Sequence, residues 1–397
     1  MEYVWVENEM NVRALKNDDS IIHIKWSKKP ENDFLDLSRY YINSAYYILK
    51  EIINPSHNDN IKYDMWFLPS VYMMRQAIEL LLKAGLAFKG CSKKDLQDIY
   101  INCKHNIAKL LDTYINLYGN ENLNDNEMKW ILKYIDSIEE IDSNSDLFRY
   151  PFKDDFMEQY GNNYLDIVDM SNRLFHGYST INKIIYGDCY QDVELDVDES
   201  TEFIKLAETG IYNCYLWDSP WSDGFHKQVT GYSEVANFLF DAFVESGNKE
   251  LFYPIVFSMR NAIEIGLKRL LHIQMDKSVC EKEIRRKKNS HLLYKDLWLA
   301  IKPMLIHYSQ VDNQDIETLI IAENYIKSIS KLDKNGDLFR YPCTYSHEYK
   351  FDDEKVDVRN LYNYYLGIFH FIEGCDSWLD YIREIESEMR SEYSWRI

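Results

Sequence analysis

The sequence contains no run of about 18 apolar residues, so no segment reads as a transmembrane helix. Glycine and proline are scarce, at 14 and 8 among 397 residues. That balance disfavours turn-rich all-β architectures and favours long helices. Cysteine occurs seven times with no C-x-x-C pair and no regular spacing, the pattern of reduced thiols in a cytoplasmic protein. The opening residues, MEYVWVENEM, include no basic stretch, so no secretory leader is expected. Positive charge is also in deficit: 45 Lys and Arg against 65 Asp and Glu leave a formal charge of −20. A protein that grips nucleic acid over a long footprint needs clustered cations to displace counterions. Any such contact here must be local, made by a basic loop on an acidic body. A Walker A loop, G-x-G-x-x-G after a strand, H-E-x-x-H and G-x-S-x-G are all missing. No cofactor and no metal are therefore expected, and Cys103 beside His105 reads as structural.

Hydrophobic residues make up 46% of the chain and charged ones 28%, the composition of an ordinary folded protein. The 32 tyrosines read as packing residues rather than base-stacking platforms. The chain is long enough for two or three cores, and internal repetition says how it is divided. Phe67–Gly90 (FLPSVYMMRQAIELLLKAGLAFKG) and Phe252–Met275 (FYPIVFSMRNAIEIGLKRLLHIQM) agree at 11 of 24 positions without a gap, where chance gives about one or two. Tyr134–Pro151 (YIDSIEEIDSNSDLFRYP) and Tyr325–Pro342 (YIKSISKLDKNGDLFRYP) agree at 12 of 18. The offsets are 185 and 191 residues, so one unit is present twice with a short insertion between the matched blocks.

Each copy reads as five helices: Ser38–Ile53 or Ser233–Glu245, then Ser70–Phe88 or Ser258–Ile273, apolar nearly all round and hence buried. A shorter helix from His105 or His291 follows, then Asn124–Ile141 or Asp312–Leu332, ended by a loop and FRYP. Tyr164–Ile185 or Val356–Ile372 closes each bundle. The expected organisation is all-α: a β element over residues 1–30, a helical domain over 31–216 and a second over 217–397. YVWVEN and IIHIKW alternate like two strands of a hairpin. Trp217–Gly231, rich in Gly, Ser, Asp and Pro, reads as the seam between the copies.

Polar residues retained in both copies are the candidate site. Arg75, Glu79 and Lys83 share one face of the buried helix at i, i+4 and i+8, and Arg260, Glu264 and Lys268 repeat them. A buried carboxylate must be paired, with Arg149 or His105 as candidate partners for Glu79, and Arg340 or His291 for Glu264. Together with Tyr150 and Tyr341 these residues form either an ion-paired strut or a polar pocket for a phosphate ester, with Arg75 and Arg149 as fork donors. The loop after the buried helix is basic in both copies: Lys89, Lys93 and Lys94, then Arg285, Arg286, Lys287 and Lys288. A solvated loop is one reading and a local RNA or DNA contact the other.

The order R-x-A-x-E-x-x-x-K on a buried helix, a helix opening at a His, then a Pro-terminated RYP loop resembles the HEPN superfamily. It rests on Arg75, Ala77, Glu79, Lys83, His105 and Arg149-Tyr150-Pro151, and again on Arg260, Ala262, Glu264, Lys268, His291 and Arg340-Tyr341-Pro342. The resemblance implies two tandem helical bundles forming an internal pseudo-dimer, of the kind found in prokaryotic toxin–antitoxin, abortive-infection and other anti-phage systems. Many members are metal-independent endoribonucleases with R-x4–6-H near the start of the last core helix. In them Arg stabilises phosphorane charge and His moves protons. Here the closing helix offers Arg173-Leu-Phe-His176, with only two residues between the pair, and the second copy has Tyr364 and Gly367 at those positions. The family spacing recurs at Arg286-KKNS-His291 and Arg340-YPCTYS-His347, away from the family's place. The expected function is therefore a non-catalytic binding, sensor or assembly component of a defence system, with a protein partner or a second copy of itself. The alternative is an endoribonuclease with a degenerate site at Arg173 and His176.

Overall fold

The computed structural model describes residues 4–54, 59, 61–119, 122–190, 199–217, 225–274, 290–311, 316–349 and 351–394. They form two compact units: Ile22–Ser258 with Leu338–Lys355, and Met1–Ile21 with Met259–Asp337 and Val356–Ile397. The architecture is mostly helical, as expected from the scarcity of Gly and Pro. Among the described residues no helix is long and apolar enough to cross a membrane.

The unit beginning at Ile22 is built around helix α2 (Phe67–Phe88), in which every residue from Phe67 to Ala87 is buried. A helix with no solvated face must be covered on all sides. Against it pack α1 (Pro30–Ile52), α4 (Ile107–Tyr118), α7 (Ile167–Tyr186) and α8 (Phe225–Ser246). Local signals set the helix starts. Pro30 opens α1. Asn106 caps α4 through its side chain and Asp166 caps α7. Asn124 and Glu127 form a reciprocal capping box on α5 (Asp125–Asp142). Gly187, at φ +86°, ends α7 in the left-handed region that glycine favours.

The other unit contains the end of α9 (Phe252–Arg269), a wide π-type turn at Leu270–Gln274 and another at Leu293–Trp298. Helices α10 (Leu299–Val311), α11 (Glu317–Leu332) and α12 (Val358–Ser394) complete it.

Several expectations need correction. Two short helices, α3 (Lys93–Cys103) and α6 (Asp154–Tyr160), add to the five expected in the first copy. Phe225–Gly231, expected in the seam, is the opening of α8, so helix continues where composition suggested a linker. Residues 225–258 and 338–355 belong to the unit that starts at Ile22. The helix expected from Asp312 begins at Glu317, and residues 312–315 lie outside the described set. The N-terminal hairpin does not form. Strand β1 (Ile21–Ile24) pairs instead with β4 (Glu354–Asp357), while β2 (Tyr164–Leu165) pairs antiparallel with β3 (Cys214–Tyr215).

Residues 4–8 lie along α12 rather than forming a strand. The Val4 carbonyl is 2.7 Å from His370 Nδ1, the Glu7 N–H donates to Tyr325 Oη at 3.0 Å, and Trp5 packs on Phe371. Gly367 permits this approach, because a Cβ there would sit 3.0 Å from the Trp5 carbonyl oxygen. Gly367→Ala is accordingly expected to lower stability by about 1–3 kcal/mol through overpacking, measurable as a lower midpoint in urea. An unchanged midpoint would mean that the N-terminal segment yields freely.

Candidate functional site

The four residue types retained in both copies assemble around a buried carboxylate. Glu79 is fully buried, and its Oε1 lies 2.7 Å from Lys83 Nζ and 3.2 Å from His105 Nδ1. The Tyr341 hydroxyl donates to the same oxygen at 2.9 Å, and Arg75 Nη1 approaches Oε2 at 3.4 Å. The i, i+4 spacing on α2 is what lets Arg75 and Lys83 flank Glu79 from consecutive turns. Arg75 is shared: its Nη2 donates to the His105 carbonyl at 2.9 Å and to Glu139 Oε1 at 3.2 Å, and its Nε lies 3.1 Å from Asp142 Oδ2. Asp142 Oδ1 in turn accepts the N–H groups of Asp146 and Leu147 at 2.8 and 3.0 Å, fixing the entry to FRYP. The Lys83 ammonium is surrounded by the rings of Tyr341, Tyr345 and Tyr100 at 4.6, 5.7 and 5.9 Å.

The second copy repeats this construction in the other unit. Glu264 Oε1 lies 2.8 Å from both Lys268 Nζ and His291 Nδ1, and Oε2 lies 3.0 Å from Arg260 Nη1. Arg260 Nη2 donates to the His291 carbonyl at 3.0 Å, and Asp333 Oδ1 accepts the N–H groups of Gly336 and Asp337. In both copies the histidine is therefore held twice, by its carbonyl on the arginine and by Nδ1 on the glutamate.

Burial alone would raise the Glu79 carboxyl, but Lys83, His105 and Arg75 together hold it well below the usual carboxylate range. For Glu264 burial is likewise overcome, by Lys268, His291 and Arg260. An ionised glutamate has no proton to give, so the proton of the His105–Glu79 pair rests on Nδ1. The cluster is sealed, with Arg75 and Lys83 each 1% exposed, and the His105 side chain, at 31%, is where it meets solvent.

The RYP loops are distributed differently from the sequence expectation. The RYP residue that bonds Glu79 is Tyr341 of the second copy. Arg340 of that loop exchanges hydrogen bonds with Gln76 and lies over Tyr72 at 5.7 Å. Arg149 lies over Tyr72, Phe257 and Tyr150 at 5.7, 5.7 and 4.9 Å. Arg75 and Arg149 thus do not form a phosphate fork at an open pocket: Arg75 is occupied by carboxylates and carbonyls, and Arg149 is packed on aromatic rings. Tyr341 was named from its sequence position, but its role across copies was not. Asp142 and Asp333 were missed, although both stand at an identical position in the matched blocks. Glu139 has no such signal, since Ser330 replaces it; the Ser330 hydroxyl nevertheless accepts the Tyr294 N–H at 3.2 Å, much as Glu139 accepts that of Ile107 at 2.8 Å.

The degenerate nuclease pair is placed differently again. Arg173 is fully buried; its Nη2 pairs with Asp169 at 2.7 Å, and its Nη1 donates to Ser200 Oγ and the Glu202 carbonyl at 3.1 and 2.8 Å. His176 is half-buried edge-on to Trp130, with ring centroids 4.6 Å apart, and burial lowers its pKa. In the second copy Tyr364 stacks on Tyr325 at 4.0 Å, and the Gly367 position lies under the Trp5 backbone. His347 is buried near Tyr100. Lys93 and Lys94 are exposed but form the first turn of α3, capped by Ser92, rather than a loop. Arg285, Arg286, Lys287 and Lys288 lie outside the described residues.

No family model, curated protein or solved structure matches this chain.

Glu79→Gln would strand Lys83 and Arg75 beside a neutral amide and is expected to cost about 3–5 kcal/mol. Tyr341→Phe removes a hydroxyl that donates to Glu79, accepts from Arg340 Nη2 at 3.3 Å and lies 3.0 Å from His105 Nδ1, and should cost about 2 kcal/mol; urea titration of both variants gives the comparison. Burial pushes the Glu139 carboxyl up to about 7, against the opposing effects of Arg75 and the Ile107 N–H. A group raised on folding contributes its full stability below its ordinary pKa and loses it as pH climbs through the raised one. Wild type should therefore lose about 2 kcal/mol between pH 5 and pH 8 that Glu139→Gln does not lose. Parallel pH profiles for the two proteins would refute this assignment.

Proposed function

We propose that this chain is a non-catalytic binding, sensing or assembly component, related in design to HEPN-like proteins of prokaryotic defence systems, and not an endoribonuclease. The supporting observation is the state of Arg173. A guanidinium that stabilises a phosphorane must face the scissile phosphate. Arg173 is instead 0% exposed and committed to Asp169, Ser200 and Glu202. Its would-be partner His176 packs on Trp130. The counterpart positions in the second copy, Tyr364 and Gly367, carry neither an arginine nor a histidine.

What both copies keep is the Glu–Lys–Arg cluster with its clamped histidine. Its interior is consumed by its own ion pairs, so the cluster serves as the strut that sets the helices and loops around it. Interaction then belongs to the surfaces that this frame presents, within a prokaryotic cytoplasm and with a protein as partner. RNA contact is confined to Lys93, Lys94 and the Arg285–Lys288 segment.

Total RNA from bacteria expressing wild type, Arg173→Ala and His176→Ala is expected to be intact in all three. Cleavage by wild type that either substitution abolishes would overturn the proposal and place an active site on α7.

A further inference from the structure

Helix α12 continues well beyond its own bundle. Among the described side chains Leu379 is its last buried residue, at 2% exposure, and none from Asp380 to Ser391 is buried. Those twelve residues extend about 18 Å. A stretch of that length is marginal as an isolated helix in water, because its stability ordinarily comes from packing an apolar face. An apolar face is present. Tyr381, Ile385 and Met389 stand at i, i+4 and i+8 with exposures of 61, 37 and 52%, and half-exposed Ile382 widens the stripe.

The charges around this stripe are sorted. At about 100° per residue, Glu384 and Glu388 border one side of the line through Ile385, and Glu386 borders the other beyond Ile382. Arg383 and Arg390 fall on the opposite side of the helix, with Arg390 reaching Glu386 at 3.6 Å. An apolar seam edged by glutamates on both sides is the half-interface of a helical pair whose other member carries cations at the flanking positions. A second copy of the same stripe would set glutamate against glutamate, and each copy brings a body of charge −20. An anionic membrane surface is disfavoured for the same reason.

We infer that the exposed end of α12 is a docking surface for a basic amphipathic helix of another polypeptide, seated on Tyr381, Ile385 and Met389 and held at its flanks by Glu384, Glu386 and Glu388. This deepens the interaction reading above and rests on it.

The test uses the full chain and two labelled synthetic helical peptides with identical leucine seams, one flanked by lysines and the other by glutamates. Fluorescence anisotropy is expected to show the lysine peptide binding at least about tenfold more tightly. Glu384→Lys/Glu386→Lys/Glu388→Lys should reverse that preference, and Tyr381→Ser/Ile385→Ser/Met389→Ser should abolish binding of both. These positions support no core, so all variants should retain the wild-type melting midpoint. Equal binding of the two peptides, or no binding of either, overturns the inference. So does stronger binding to anionic vesicles than to the lysine peptide, or a wild-type dimer in sedimentation that the serine variant disperses. RNA integrity reads α7 instead, so failure of the stripe and failure of the non-nuclease reading are separate results.

Discussion

The structure depends on two carboxylates placed where water cannot reach them. Burying an ionised glutamate costs several kcal/mol unless the protein replaces its hydration shell. Glu79 and Glu264 each obtain that replacement from one local set of donors: a lysine one turn ahead, an arginine one turn behind and a histidine just before α4 or before the Leu293–Trp298 turn. Because the arginine also holds the histidine's carbonyl, satisfying the charge fixes the position of the segment that the histidine opens. Through Asp142 and Asp333 the same arginine is tied to the turn that leads into FRYP. One electrostatic requirement thereby sets the helix, the segment that the histidine opens and the turn that precedes FRYP.

The reach of this requirement explains why the polar face is the same in both matched blocks while the surrounding sequence differs. A core leucine can be exchanged for isoleucine at modest cost, as Leu80 and Ile265 show at one matched position of the two buried helices. A member of the charged set cannot change alone, since each loss leaves another charge unpaired in the interior. The histidines stand somewhat apart, because lysine and arginine already neutralise the glutamate. Their retention leaves, in both copies, an imidazole fixed in orientation at the boundary between the sealed cluster and solvent.

Much of this was legible in the sequence, and the exceptions have physical causes. The repeat identified α2 and α9 as buried helices, and the i, i+4, i+8 spacing placed Arg75, Glu79 and Lys83 on one face. The choice between Arg149 and His105 as the partner of Glu79 could not be made, because both lie on segments with no fixed register to α2. The answer included a third residue, Tyr341, from a loop more than 250 positions away. Strand alternation in YVWVEN misled because residues 4–8 make their contacts with α12 and Tyr325 rather than with a second strand. The turn-rich composition of Trp217–Gly231 hid the start of α8, where tertiary packing overrides weak helix propensity.

The participation of Leu338–Lys355 in the unit that begins at Ile22 has a consequence for the nascent chain. During synthesis that unit cannot be completed when Ser258 leaves the ribosome, since its Glu79 still lacks Tyr341. Translation of the intervening segment takes on the order of ten seconds, during which α2 is made but its charged face is incompletely covered. The first copy must therefore wait for the second, so the two halves of the gene product mature together rather than in series.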